Sequence, residues 1–226
     1  MQTRDAALAG LPEAPHDCPL CPRLVAFRAE QRSAHPDWFN APVTSFGDPA
    51  ARLLIVGLAP GLKGANRTGR PFTGDFAGDL LYDTLAAFGF AAGTYRADPD
   101  DGLELRDCMV TNAVRCVPPG NKPVGSEIAN CNRFLEARIA ALPQLRAIVA
   151  LGRISHDACL AALGLKVRHH PFAHAAQHRA GAVRLFDSYH CSRLNTNTGR
   201  LTPAMFETVF TAVAAHLAGL EPAESP

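Results

Sequence analysis

The sequence predicts an α/β fold in three layers, with a central four-stranded parallel sheet flanked by helices. Three observations predict it. Two segments, Arg52 to Leu58 and Arg146 to Leu151, are nearly continuous apolar runs, the pattern of strands covered on both faces. Strand-like runs alternate along the chain with segments whose apolar residues recur at helical spacing, which implies βαβ units. The chain has 226 residues, 47% hydrophobic and 19% charged, enough to bury a core and too apolar for disorder.

Taken in order, the first strand is Arg52 to Leu58 (RLLIVGL), followed by a helix over Gly78 to Gly89 with Leu80, Leu81, Leu85 and Phe88 on one side. The second strand is Asp107 to Ala113, and the next helix, Ser126 to Leu142, opens on Ser126 as N-cap and carries Ile128, Phe134, Leu135 and Ile139. Arg146 to Leu151 is the third strand, with a helix over Ile154 to Leu163 behind it. Val183 to Tyr189 is the fourth, and Pro203 to Leu217 closes the fold. One domain is expected over residues 17–218, with 1–16 and 219–226 as loosely ordered ends. No apolar run is long enough to cross a bilayer and no signal segment is evident, so a cytoplasmic protein is expected. Net charge is only +1, so any phosphate-binding groups must be local.

Ligand sites in open parallel sheets lie at the carboxyl ends of strands, and the most unusual segments of this chain lie there. Gly57 to Asp75 (GLAPGLKGANRTGRPFTGD) is too rich in glycine and proline for a long regular element. It reads as a loop whose backbone N–H groups approach a ligand, with Lys63, Arg67 and Arg70 supplying charge for phosphates. The P-loop and dinucleotide glycine spacings are both absent. Ser188 to Thr202 (SYHCSRLNTNTGRLT) places His190 at a strand end, with Ser192, Asn195 and Thr196 as small phosphate donors, Arg193 as a cation and Leu194 as an apolar residue stranded in a wet loop.

Seven cysteines, an odd number, argue against a disulfide framework. Cys18 and Cys21 form a Cys-x-x-Cys pair; with Cys116 and Cys131 they supply four thiolates, suited to a 4Fe–4S cluster or a zinc ion. Cys108 and Cys159 read as small core residues, and Cys191 is ambiguous. Among His169, His170, His174 and His178, spacings of four could place three on one helical face, but Pro171 disfavours an uninterrupted helix, so loop or capping roles are expected over metal binding.

Together, CPLCPRL, GLAPGLKGANRTGRPFTGD, TNAVRCVPPGNKP, ALGR and SYHCSRLNTNTGRLT resemble the uracil-DNA glycosylase superfamily, and more narrowly its family 5 branch with an iron–sulfur cluster. The resemblance runs from Cys18 to Ala218. It implies a 4Fe–4S cluster on Cys18, Cys21, Cys116 and Cys131, and a cleft between the two loops. Phe72 matches the aromatic residue that stacks on a flipped base, and Asn112 matches a base-reading asparagine. Asp75 and Asn121 match active-site positions; Leu58 and Ala59 stand where other branches carry the water-activating acid. Gly57, Leu58 and Ala59 line the base site. Cys191 stands where many members have proline. The implied activity is hydrolysis of the N-glycosidic bond of uracil and other deaminated bases, hypoxanthine and xanthine among them, in DNA. His190 donates to the departing base, Leu194 fills the vacated stack, and Lys63, Arg67, Arg70 and Arg193 grip the strand. The cluster's implied job is structural and a monomer is expected. Two alternatives stay open: a uracil-only enzyme of the sister family 4 type, and a non-enzymatic iron–sulfur protein that binds nucleic acid.

Overall fold

A computed structural model describes Gly10 and residues 12–219. Its sheet has six strands: β1 (Phe46–Gly47), β2 (Leu53–Gly57), β5 (Cys108–Asn112), β6 (Ala147–Leu151), β7 (Gln177–Ala180) and β8 (Val183–Ser188), in the order β1-β5-β2-β6-β8-β7. The four expected strands form the parallel centre. Two short antiparallel strands, β1 on β5 and β7 on β8, extend it at the edges beyond the expected four. A separate pair, β3 (Ala91–Ala92) with β4 (Glu104–Leu105), stands apart.

The helices are α1 (Pro22–Ala34), α2 (Ala65–Thr68), α3 (Phe76–Ala87), α4 (Gly125–Ala140), α5 (Arg153–Ala162), α6 (Arg193–Asn197) and α7 (Pro203–Ala218). Strand alternation divides the core between the two faces. Leu53 and Ile55 face Leu81 and Leu85 of α3 and Phe206 and Phe210 of α7. Leu54 and Val56 face Leu135 of α4 and Ala158 and Leu160 of α5. All five residues of β2 are buried, which is why its sequence shows no polar alternation. Cys108 and Cys159 are core residues, as expected.

Ser126 is not the N-cap of its helix, which begins one residue earlier, after Val124. The buried Glu127 carboxylate instead accepts from the Val124 N–H at 2.9 Å, with Arg23 on the same side chain at 2.7 Å. Of the ends expected to be loose, residues 1–9, 11 and 220–226 lie outside the described residues. Within residues 12–16, Ala14 is buried and Glu13 bridges Arg138 and Arg115, while His16 is exposed.

β2 is the switch point of the sheet, since the chain moves to β5 on one side and β6 on the other. The crevice beyond its carboxyl end is where such folds bind ligands.

Candidate active site at the carboxyl edge of the sheet

A cleft of about 700 Å³ opens there, lined by Leu58, Phe72, Asp75, Asn112, Asn121 and His190 among others. Both loops singled out in the sequence reach it. Its base is built on a glycine. A Cβ at Gly57 would lie 2.7 Å from Phe72 Cε2 and 2.5 Å from Asn112 Oδ1, so only glycine lets these two side chains close over the end of β2.

Phe72 is buried with φ of 52°, a left-handed conformation rare for an aromatic residue. Two tyrosines hold it. The Tyr82 hydroxyl donates to Pro71 O at 2.6 Å and the Tyr95 hydroxyl to Phe72 O at 3.1 Å. Strain pinned in this way clusters at functional sites. The Phe72 and His190 rings lie 6.0 Å apart and 24° from parallel, so both face one slot. Two buried polar atoms have no partner there: Asn112 Oδ1 and His190 Nδ1. Orphaned buried groups are costly and rare, which suits a site awaiting a polar ligand. Burial pulls the His190 pKa down to about 4, so its ring is neutral near pH 7.

Asp75 caps α3, accepting from the Ala77 N–H at 3.2 Å, so the helix starts at Phe76, two residues before the expected Gly78. Its other oxygen sits over Gly61 and Gly64, where a Cβ would come within 2.9 Å and 2.5 Å. Burial pushes the Asp75 carboxyl up, while the Gly78 and Ala77 N–H groups pull it down. Asn121 stands exposed on the cleft rim at φ of 57°, a conformation asparagine tolerates.

A model of the Uracil DNA glycosylase superfamily matches residues 44–214. The chain belongs to that superfamily. A type-5 uracil-DNA glycosylase of Thermus thermophilus is 49% identical over 90% of this chain and 94% of its own length. A type-5 relative from Pyrobaculum aerophilum is 40% identical over 88% of both. A type-4 relative from the same organism matches at 35%, but over only 52% of this chain. These likenesses place the chain with the type-5 branch of the superfamily rather than the type-4 one.

In this superfamily member Lys63, Arg67, Arg193 and Leu194 are exposed, Leu194 to 72%. Arg193 lies over the Phe76 ring at 5.2 Å. The segment after β8, read as a loop, contains the helical turn α6. Thr196 spends its hydroxyl on Ser192 O and Arg193 O, and the Asn195 amide donates to His190 O at 2.8 Å, which fixes the His190 backbone. Ser192 and Asn195 line the cleft. Cys191 is buried, its Sγ 3.5 Å from Ala77 O.

Arg70 does not grip a strand. It is buried and forked onto Asp101, with both contacts at 2.8 Å, and its Nε donates to Thr73. That pairing holds the Asp101 carboxyl well below its usual range. Arg70→Met should therefore cost about 3–5 kcal/mol of stability by stranding a buried carboxylate. It should leave the salt dependence of DNA binding unchanged, whereas Arg67→Ala should reduce the log–log salt slope by about 1. Denaturant titration and binding at several salt concentrations check both.

The walls at Gly152, Arg153 and Ser155 also line the cleft and were missed as site residues. A glycine between an apolar run and a helix was the signal for them; in the structure Gly152 has φ of 93°.

Cys18, Cys21, Cys116 and Cys131 line one small apolar cavity with Leu24 and Phe134, between the N-terminal segment, the loop after β5 and α4. N–H groups reach three of the sulfurs: Arg28 Nη1 to Cys116 at 3.6 Å, the Arg115 backbone to Cys131 at 3.2 Å, and Asn130 Nδ2 to Cys21 at 3.7 Å. Such donors suit thiolate charge. Burial pushes the free Cys116 thiol up to about 11 and Cys131 up to about 12, so a bound cation is what would deprotonate them. No helix among the described residues is long and apolar enough to cross a membrane.

Proposed function

We propose that this chain is a base-excision repair glycosylase that removes uracil, and with it deaminated purines such as hypoxanthine and xanthine, from DNA. The observation that carries the reading is the slot where Phe72, Asn112 and His190 converge with two orphaned polar atoms, beside Asp75. The target nucleotide leaves the stack at a cost of a few kcal/mol. Phe72 stacks on the base and Asn112 reads its edge, while Gly57, Leu58 and Ala59 bound the slot. The C1′–N bond breaks with its electron pair passing to the base, and neutral His190 donates a hydrogen bond to the charge that develops there. Ionised Asp75 stabilises the cationic sugar and orients the water whose oxygen bonds to C1′; the water's proton leaves through Asp75 to solvent. Asn121 borders the water's approach. Lys63, Arg67 and Arg193 meet phosphates, with Ser192, Asn195 and Thr196 beside them. A single domain over residues 17–218, a monomer of the cytoplasm, suffices.

A 4Fe–4S cluster held by these four cysteines would supply cross-linking and no step of the reaction: it would staple the N-terminal segment to the loop after β5 and to α4.

The test is to incubate the purified protein with duplexes carrying uracil, hypoxanthine or xanthine and then cleave with alkali. Strand breaks at uracil are expected; binding without breaks overturns the reading. Brown colour with iron and sulfide in equal amounts is expected, and zinc instead would replace the cluster. In Leu194→Ala, base release from duplex should fall about tenfold, roughly 1.4 kcal/mol, and release from single strands by less than twofold. Equal losses on both substrates would remove the wedge.

A further inference from the structure

The histidine-rich stretch has no part in this chemistry, yet it converges on one buried carboxylate. Asp187 of β8, whose side chain is 0% exposed, stands three residues before His190. Its Oδ1 lies 2.7 Å from Nδ1 of His156 on α5, also 0% exposed, and its Oδ2 lies 3.0 Å from Nε2 of His178 on β7. Nε2 of His156 is 2.9 Å from His170 O. A carbonyl only accepts, so that nitrogen carries a proton, and the contact with the carboxylate needs a second one.

His156 thus shares this second proton with Asp187, becoming a cation when its ring holds both, and His178 meets the second oxygen of the same carboxyl group. Burial opposes this charge, but the Asp187 hydrogen bond and charge, His170 O and Asp157 outweigh it and raise the His156 pKa above 6.5. The His178 and Phe172 rings pack on His156 at 5.3 Å and 5.5 Å, and His170 packs on His178 at 5.6 Å. The ligand-type atoms of His156, His178 and Asp187 lie within 4.8 Å of one another, a spacing that also suits a metal. A metal there would have to displace the proton held between His156 and Asp187.

The same elements hold the end of β8. Ala175 N donates to Asp187 O at 2.9 Å and Tyr189 N to His174 Nδ1 at 3.2 Å. Gly152 N, at the head of α5, donates to Ser188 O at 2.7 Å. A Cβ on Gly152 would lie 3.6 Å from His190 Cβ. We propose that His156 and Asp187 are a positioning pair, fastening α5 to the end of β8 and so setting His190 against the cleft wall at Gly152. This rests on the glycosylase reading above.

Asp187→Asn keeps the size and removes the charge. Its maximal single-turnover rate of uracil release should fall about tenfold, with the enzyme concentration for half-maximal rate unchanged within twofold. In a His190→Ala background the same change should add less than twofold, because the pair acts through His190. Equal losses in both backgrounds, or no loss, overturn the proposal. His178→Gln, at the less buried end, should show the same non-additivity if Asp187→Asn does not fold. Nitrogen NMR of the wild-type His156 ring supplies a readout without catalysis: the ring should give up its second proton at a higher pH than a free imidazole, and that shift should vanish in Asp187→Asn. No such shift, or a stoichiometric divalent ion lost in Asp187→Asn, overturns the pair even if uracil is released. The shift in a protein that releases no base overturns the glycosylase reading and not the pair.

Discussion

His190→Ala should lower single-turnover release of uracil from duplex DNA by about 10²–10³-fold, roughly 2.7–4 kcal/mol of transition-state stabilisation, with DNA affinity unchanged. The size follows from where the ring sits. It faces Phe72 across the slot, its Nδ1 is sealed and unpartnered, and its backbone is fixed by Asn195. A donor held this way needs no reorganisation as the base acquires charge, so its loss falls on the chemical step rather than on binding. The pH dependence separates this role from that of a charged acid. With burial pulling its pKa down to about 4, the ring is neutral throughout the physiological range. The His190 contribution should therefore be flat between about pH 6 and 8; a rate falling tenfold per unit across that window would mean that an imidazolium is required. Stability gives a second reading. From pH 6.5 down to about 4 the unfolded chain takes up a proton that the folded ring refuses, so stability falls on acidification over that window and is fully present above it. His190→Ala should lose less stability over the same interval, measured as Tm against pH.

Much of this site was legible because backbone chemistry wrote it into the sequence. Continuous apolar runs mark strands buried on both faces, and glycine density marks the place where side chains close over a strand end, as at Gly57. The four cysteines that line one cavity were legible from the Cys-x-x-Cys spacing and the family resemblance, not from residue type, which they share with three others. What stayed hidden depends on partners distant in sequence. Arg70 looked like a phosphate ligand because nothing in its loop shows Asp101, 31 residues on. β1, β3 and β4 have two residues each, too few for any periodicity to register. α1 is a helix with only Leu24 and Arg28 buried, so its apolar stripe is thin. Pro171 argued against a helix and for loop or capping roles in the histidine stretch, but nothing local showed that His178 lies on a strand and meets Asp187 and His156 from other elements. An acid inside the strand VRLFDSY was the one local sign of that network.

Gly57→Ala should abolish base release within detection, more than about 10³-fold, while costing only about 1–3 kcal/mol of stability. The added methyl has nowhere to go. Leu53 to Val56 before it are wholly buried, and the Gly57 carbonyl is tied to Ala113 N at 2.8 Å. The strand end is therefore held, and the side chains must move instead. Phe72 would have to turn away from the slot, although the hydroxyls of Tyr82 and Tyr95 hold its backbone. Asn112 would have to swing its Oδ1 off the line on which it would meet a base. Either movement fills or misaligns the slot, so the rate loss should far exceed what the stability loss predicts. Thermal denaturation and single-turnover release on the same preparation check this. Phe72→Ala in the Gly57→Ala chain removes the clash with the ring but not the one with Asn112 Oδ1, and should not restore the rate, because the stacking face is then missing. Wild-type rates in Gly57→Ala would mean that bases are not read at the end of β2.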